Sequence, residues 1–290
     1  MVVTKRQTDE MLELLSEPFT YDYMLRAMTV GSLVGGICAF LSAYIILKGW
    51  SLIGDALSHS VVPGVALAYM LGLPFAIGAF FAGGLAATTI LFLHEKTKLK
   101  QDTIIGLIFT SFFGFGLFLV SVSPIPIDVR SIFLGNILSI SPADTLQLLI
   151  ICAVTITCLA ILWKDFLVLF FDELHAQSLG QNTRLMKVLF FTLLSASTVA
   201  ALQTVGAFLV IAMVIIPGAT AYLLSDRFEK TILISSLLGV LTSFLGAYLS
   251  YFLDAATGGI IVCLQGVIFF IVFFAAPKYG YLSRRASKAY

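Results

Sequence analysis

Charged residues are scarce in this chain of 290 residues. They make up 11% of it and hydrophobic residues 59%, against roughly 25% and 45–50% in soluble domains. The mean hydropathy is +1.03, and no globular core can absorb that much apolar surface, so the surrounding solvent must be a lipid bilayer. The apolar runs are about 20 residues long rather than alternating over about ten, which favours helices over a barrel. The sequence therefore predicts an all-α, polytopic membrane protein.

Several functional signatures are also missing. None of the cysteines (Cys38, Cys152, Cys158 and Cys263) stands in a Cys-x-x-Cys pair, so we expect small buried residues, with neither a disulfide framework nor a thiolate metal site. There is no G-x-x-x-x-G-K-[ST] phosphate loop, and the HEKTK run at His94 lacks the second histidine of a zinc-protease helix. A net charge of +1 implies no nucleic-acid partner. These absences argue against an enzyme.

The chain divides into about nine membrane segments (eight to nine). They are residues 24–47, 52–71, 74–93, 103–122, 143–163, 186–202, 205–224, 231–253 and 258–275. The second contains Pro63 and Gly64, and the seventh Pro217 and Gly218, so both are expected to be broken helices. Such breaks are tolerated at membrane depth where they line a cavity or pack on neighbours. The predicted pore and gating residues are Pro63, Gly64, Gln203, Pro217 and Gly218.

Lysine and arginine are confined almost entirely to one side of the predicted bundle. Counting crossings places five basic groups on that side: Lys48 and residues 96–100, 164–187, 227–230 and 278–290. The opposite loops carry almost none, Arg130 being the exception. The positive-inside rule therefore predicts a cytoplasmic C-terminal tail, residues 278–290, and an outside N-terminus.

The predicted membrane domain, residues 23–277, is preceded by an acidic segment with interleaved apolar residues. We expect this segment, residues 1–22, to form an amphipathic helix at the interface rather than a cleaved leader. Residues 123–142 are too polar and proline-rich to span the bilayer. They form the extracytoplasmic loop, which could cap the mouth of a pore or dip back toward it.

A second loop, residues 171–184, carries the signals of a short cytoplasmic helix. Asp172 is a candidate N-cap and Gly180 a candidate C-cap. Between them lies a helix of about two turns, with Leu174 and Leu179 available for docking. Of the predicted cytoplasmic segments, this one is the best candidate for a docking site for a partner subunit.

Asp55 and His59 are the predicted functional pair. Four residues apart on a helix, they lie on one face, and a carboxylate within a membrane usually faces a water-filled path or a partner. Together they offer oxygen and nitrogen to a divalent cation. Two copies meeting at a two-fold axis would supply two carboxylates and two imidazoles. The competing interpretation is a structural role, in which the carboxylate and the imidazole interact with each other between helices.

Five stretches, in order, resemble a known family: LKGWSLIGDALSHSVVPGVALAYMLG, IDVRSIFLGNIL, FDELHAQSLG, VGAFLVIAMVIIPGATAYLL and GGIIVCLQGVIFF. They resemble the membrane subunit of the manganese/zinc/iron class of ABC importers, over about residues 21–276. The SHSVVPG stretch is more similar to the manganese/iron branch than to the zinc branch. One departure is Lys48-Gly49-Trp50, where an arginine often precedes the first stretch.

The resemblance implies a homodimer with two cytoplasmic ATPase subunits and an extracytoplasmic metal-binding protein, in a prokaryotic plasma membrane. No cofactor is permanently bound, and ATP is held by the partner subunit. Asp55 and His59 match the pore metal site. The residues matching the ATPase-coupling segment are Asp172, Glu173, Leu174, Ala176, Leu179 and Gly180. Arg130 and Asp254, both external, are the candidate contacts for the delivery protein.

The sequence thus predicts the permease of an ATP-driven importer, with Mn²⁺ as the expected ion. Within the same class, Zn²⁺ and Fe²⁺ are the alternatives. A different class is a proton-coupled secondary carrier, in which Asp55 and His59 form a proton relay and no ATPase takes part.

Overall fold

The computed structural model describes residues 13–50, 52–123 and 142–276. Within those ranges the chain forms a 3₁₀ turn at Glu17–Thr20, α-helices and no strand. The helices are α1 Asp22–Lys48, α2 Ile53–Ser60, α3 Val62–Leu71, α4 Phe75–Lys96, α5 Gln101–Val122, α6 Pro142–Phe171, α7 Glu173–Ser178, α8 Thr183–Val205, α9 Ala207–Leu224, α10 Phe228–Leu253 and α11 Thr257–Ala275.

In the described ranges, seven helices are long and apolar enough to cross a membrane: α1, α4, α5, α6, α8, α10 and α11. The predicted segment 52–71 is the pair of short helices α2 and α3, and the segment 205–224 is the shorter apolar helix α9. The all-α, polytopic architecture is confirmed.

Helix α1 lies at the centre of one half of the molecule. Most of its residues between Met24 and Ile45 are buried, and it contacts α6, α8, α9 and α10. At the crossing with α10, a Cβ added to Gly239 would lie 2.3 Å from the Gly35 carbonyl oxygen. Small residues allow the two backbones to approach closely. Such close packing drives helix association in membranes, because lipid provides no hydrophobic driving force for it.

Helices α2 to α5 form the other half, and α8 and α9 contact both halves. Near the C-terminal end of α10, aromatic contacts hold the N-terminal segment against the bundle. Phe19 lies 5.8 Å from Tyr248, ring centre to ring centre, and the Tyr248 hydroxyl donates to the Leu15 carbonyl at 3.0 Å. The N-terminal segment is therefore packed against α10.

The predicted break at Pro217 is wrong, because α9 runs through it from Ala207 to Leu224. The chain is interrupted instead at Gly206, between α8 and α9, where φ is 80° and ψ 164°. A proline inside a helix disturbs the backbone hydrogen bonds around it. Here the Ser42 hydroxyl of α1 accepts from Gly218 N at 3.0 Å and donates to the Ile215 carbonyl at 3.2 Å. Helix α1 therefore supplies hydrogen bonds to backbone groups on either side of the proline, and α9 continues without a break.

Ser42→Ala is expected to destabilise the protein by about 1–3 kcal/mol, because it leaves the buried Gly218 N–H without the Ser42 acceptor. The measurement is thermal unfolding of the detergent-solubilised protein. Ser32→Ala is the matched control on the same helix, since the Ser32 hydroxyl bonds only within α1, to the Met28 carbonyl. Equal shifts in both variants would mean that Ser42 does not support the proline-containing helix.

Candidate metal-translocation site

Asp55 and His59 lie on one face of α2, as their spacing predicted. The distance from His59 Nε2 to Asp55 Oδ1 is 3.2 Å. The two side chains differ in access, since that of Asp55 is 39% exposed and that of His59 only 11%. The pair is thus open on the carboxylate side and closed on the imidazole side.

Two phenylalanines of α5 close the imidazole side. The rings of Phe109 and Phe113 are nearly parallel, at 9°, and lie 5.3 and 5.4 Å from the His59 ring at steep angles of 64° and 70°. These contacts fix the plane of the imidazole. These contacts could not be predicted from the sequence, because Phe109 and Phe113 are two of 25 phenylalanines, and nothing local indicates which helix faces α2.

The pair sits at a junction of helices rather than at the edge of the bundle. Helix α2 contacts α4, α5, α8 and α9, and a Cβ on Gly54 would lie 3.1 Å from Val214 of α9. An apolar groove of about 640 Å³ lies beside α3 and is lined by residues of α3, α4 and α5 that include Pro63 and Gly64, but by neither Asp55 nor His59. That groove has almost no polar lining and offers no ligand to an ion.

The break predicted at Pro63 is a one-residue junction. Val61 alone separates α2 from α3, its φ of −77° and ψ of −18° remain helical, and Pro63 sits in the first turn of α3. The two short helices therefore meet end to end, and Gly64 packs against α4.

Pro217 and Gly218 contact helices other than α2. Pro217 shares a small interior pocket with side chains of α10 and α11, among them Gln265, whose Nε2 donates to the Thr242 hydroxyl at 3.1 Å. Gly218 packs on Ser42 of α1. Gln203 lies in α8, and its side chain falls outside the described part of the chain.

Across the described residues, no group of three or more histidine, cysteine, aspartate or glutamate side chains could hold a metal ion. One copy therefore offers an ion the Asp55 carboxylate and the His59 imidazole. A complete coordination shell needs further oxygen or nitrogen ligands from water, the backbone or another chain.

Helix α7 forms where the capping signals predicted a short helix. Asp172 Oδ1 accepts from Leu174 N at 3.0 Å and from His175 N at 3.1 Å. Gly180 follows the last turn in the left-handed region, at φ 80°, where glycine is favoured. Leu174 and Leu179 are exposed by 76% and 60%.

The remaining α7 residues attach this helix to the bundle. Ala176 is buried, and Glu173 forms an ion pair with Lys187 of α8, Oε1 to Nζ 2.5 Å. At the opposite end of the bundle, Asp254 is exposed and ends α10 in the left-handed region, at φ 46°. Arg130 lies outside the described residues.

The sequence profile of the ABC 3 transport family matches residues 20–276. The chain belongs to this family. It is similar to the "Probable iron transport system membrane protein" of Haemophilus influenzae, at 59% identity over 94% of this chain and 97% of that one. It is also similar to the "Manganese transport system membrane protein MntB" of Synechocystis, at 47% identity over 94% and 90%.

Among solved structures, the chain resembles "PsaBC from Streptococcus pneumoniae in complex with Fab", with a TM-score of 0.84 and 36% identity. The match covers 95% of this chain and 99% of that one. Family membership makes the chain a membrane permease of the manganese/zinc/iron class of ABC importers. It is a transport subunit rather than an enzyme, and the ATP that drives transport is bound by a partner subunit.

Proposed function

We propose that this chain is the permease of a Mn²⁺ importer, with Asp55 and His59 as ligands of the ion in transit. The observation that carries the proposal is the 3.2 Å pair itself, on a short helix enclosed by others. An ionisable residue in such a place is costly unless it serves a path or a partner. Carboxylate oxygen with imidazole nitrogen suits Mn²⁺, and a small number of protein ligands allows release.

We further propose that the permease works as a homodimer with nine crossings. Residues 53–71 reach about 28 Å at about 1.5 Å per residue, which is enough to span the hydrocarbon core. Counting this pair of helices and α9 as crossings gives an odd number, so the two ends of the chain would lie on opposite sides of the membrane. We assign the basic C-terminal tail to the cytoplasm by the positive-inside rule. A second copy facing the exposed side of Asp55 would supply a second carboxylate and imidazole.

Helix α7 is the proposed contact with the ATPase subunit. Its apolar side chains, Leu174 and Leu179, project from a capped helix held to α8 by the Glu173–Lys187 pair. ATP binding by the partner would displace α7 and rock the bundle, so that the ion path opens alternately to each side. Outside, Asp254 and Arg130 are proposed to contact the metal-delivery protein.

ATP-driven uptake distinguishes this importer from a proton-coupled carrier. The chain is co-expressed with its ATPase and delivery protein in cells lacking their own importer, and ⁵⁴Mn²⁺ uptake is followed. We expect vanadate to abolish uptake in energised vesicles and a protonophore alone to leave it intact. Uptake that survives vanadate and collapses with the protonophore would instead show a secondary carrier.

Fe²⁺ is the second candidate ion, because the Haemophilus influenzae relative at 59% identity is named for iron transport. The same cells are given ⁵⁴Mn²⁺ with increasing Fe²⁺ under reducing conditions, and with Zn²⁺ in parallel. Mn²⁺ as the preferred ion predicts weak inhibition by either competitor at equal concentration. Strong inhibition by Fe²⁺ with saturable ⁵⁵Fe²⁺ uptake would make iron the cargo.

Leu174→Ser is expected to reduce co-purification of the ATPase subunit several-fold and to reduce uptake in proportion, because burial of a leucine at an interface contributes about 1.5–3 kcal/mol. Pull-down from detergent and uptake at matched membrane levels are the measurements. Gln177→Ser on the same helix is the control, since the Gln177 amide bonds Thr183. Undiminished binding of the ATPase subunit to Leu174→Ser would show that α7 is not the docking element.

A further inference from the structure

Trp50 lies where the chain turns from α1 into α2. Gly49 ends α1 in the left-handed region, at φ 73°. The Trp50 N–H donates back to the Ile45 carbonyl at 2.9 Å, and the Trp50 carbonyl accepts from Ile53 N, at the start of α2, at 3.1 Å. Trp50 is therefore bonded both to the end of α1 and to the beginning of the helix that carries the metal pair.

The indole of Trp50 is held among aromatic rings and is only 5% exposed. It stacks on Phe191 of α8 at 5.3 Å and meets Phe170 of α6 edge-on at 5.5 Å, and Phe190 packs on Phe170 at 4.5 Å. Among the described residues, Trp50 Nε1 has no hydrogen-bond partner. Ring contacts therefore set the position of the indole. We call Trp50, Phe170, Phe190 and Phe191 the aromatic joint.

Both helices that contact Trp50 are attached to α7. Phe170 is in the last turn of α6, two residues before the Asp172 cap of α7. On the other side, Lys187 pairs with Glu173 of α7 and lies one helical turn before Phe191, on the same face of α8. A displacement of α7 thus reaches the aromatic joint along two independent routes.

Helix α2 has an articulation point at each end. Gly49 precedes it in a left-handed conformation, and the Val61 junction and Pro63 follow it. With eight residues, Ile53–Ser60 is short enough to tilt as one unit. A push on its first turn would move the Asp55–His59 face without unfolding the helix.

We propose that Trp50 is a positioning residue that transmits displacement of α7 to the Asp55–His59 pair. This inference rests on the proposed function, in which α7 is the ATPase contact and the pair holds the ion. Packed rings have little free volume, so a shift of Phe170 or Phe191 moves the indole rather than being absorbed. Helix α2 then follows through its backbone bond to Trp50.

The test uses the complete importer, purified with its ATPase and reconstituted in proteoliposomes, in wild-type, Trp50→Leu and Trp50→Phe forms. Three quantities are measured: ATP hydrolysis, Mn²⁺ transported per ATP, and Mn²⁺ binding without ATP. Phe228→Leu is the control, because its ring packs on Tyr44 at 4.9 Å within the same aromatic region. His59→Ala is measured alongside.

In Trp50→Leu we expect Mn²⁺ transported per ATP to fall about tenfold, a size in line with measured coupling energies, while Mn²⁺ binding and ATP hydrolysis persist. Trp50→Phe should recover much of the ratio, and Phe228→Leu should keep the wild-type value. A wild-type ratio in Trp50→Leu, or an equal fall in Phe228→Leu, would overturn the role of Trp50. If Trp50→Leu does not assemble, Phe191→Leu tests the same contact and must lower the ratio. Normal transport by His59→Ala would instead overturn the proposed function.

Discussion

Mn²⁺ uptake is expected to fall by about 100-fold or more in His59→Ala, because losing even an outer-shell partner of a metal site costs about 10–100-fold in affinity. The imidazole is one of the two protein ligands that a single copy offers at this site. It is buried against Phe109 and Phe113, and neither ring can replace it as a ligand of Mn²⁺. Asp55→Asn should cause a loss of similar size, since it keeps the shape of the carboxylate and removes its charge.

The measurement is initial ⁵⁴Mn²⁺ uptake at membrane levels matched by immunoblot. Ser58→Ala is the matched control, because Ser58 lies between the two ligands on α2 and its hydroxyl bonds only within the helix, to the Gly54 carbonyl at 2.8 Å. It should transport at the wild-type rate. Wild-type uptake in His59→Ala and Asp55→Asn would make the pair structural and move the ion path elsewhere.

A loss of folded protein is expected from Gly78→Ala, where α3 and α4 cross. A Cβ at Gly78 would lie 2.1 Å from the Gly64 carbonyl oxygen and 2.7 Å from the Ala68 Cβ. Since the nearest atom is backbone, the two helices must separate, at a cost beyond the about 1–3 kcal/mol of ordinary overpacking. Helix α3 continues α2, so this separation would also shift the Asp55–His59 pair.

Gly84→Ala on the same helix is the control, because a Cβ there meets nothing within 4 Å. The amount of monodisperse protein after detergent extraction and its unfolding temperature are the measurements. We expect Gly78→Ala to lower both strongly and Gly84→Ala to change neither. Equal stability of the two variants would contradict the close crossing of α3 and α4.

Features that depend on neighbours in sequence were predictable, and those that depend on neighbours in space were not. The i, i+4 spacing placed Asp55 and His59 on one face, and Asp172 and Gly180 marked the ends of α7. In contrast, Ser42 supports the proline-containing helix across 176 positions of sequence. Proline chemistry alone predicted a break there, because the compensating hydroxyl is visible only once α1 packs on α9.

The surroundings of the pair illustrate the same limit. A lipid-solvated helix can be apolar on every face, so its sequence does not indicate which face meets another helix. Neither the Phe109–Phe113 contact with His59 nor the Phe191–Trp50 stack could therefore be assigned from pattern. The family resemblance carried the predicted roles of Asp55 and His59, and the structure adds their distance, their unequal access and the rings around them.

Direct detection of His59 as a ligand tests the central claim most closely. Electron paramagnetic resonance of Mn²⁺ bound to the assembled importer, with spin-echo modulation, reports coupling to a histidine nitrogen. The chain has only three histidines, and His94 and His175 are exposed at helix ends. We predict nitrogen coupling in the wild type and in His94→Ala, and its loss in His59→Ala. Bound Mn²⁺ without nitrogen coupling in the wild type, or undiminished coupling in His59→Ala, would contradict the account.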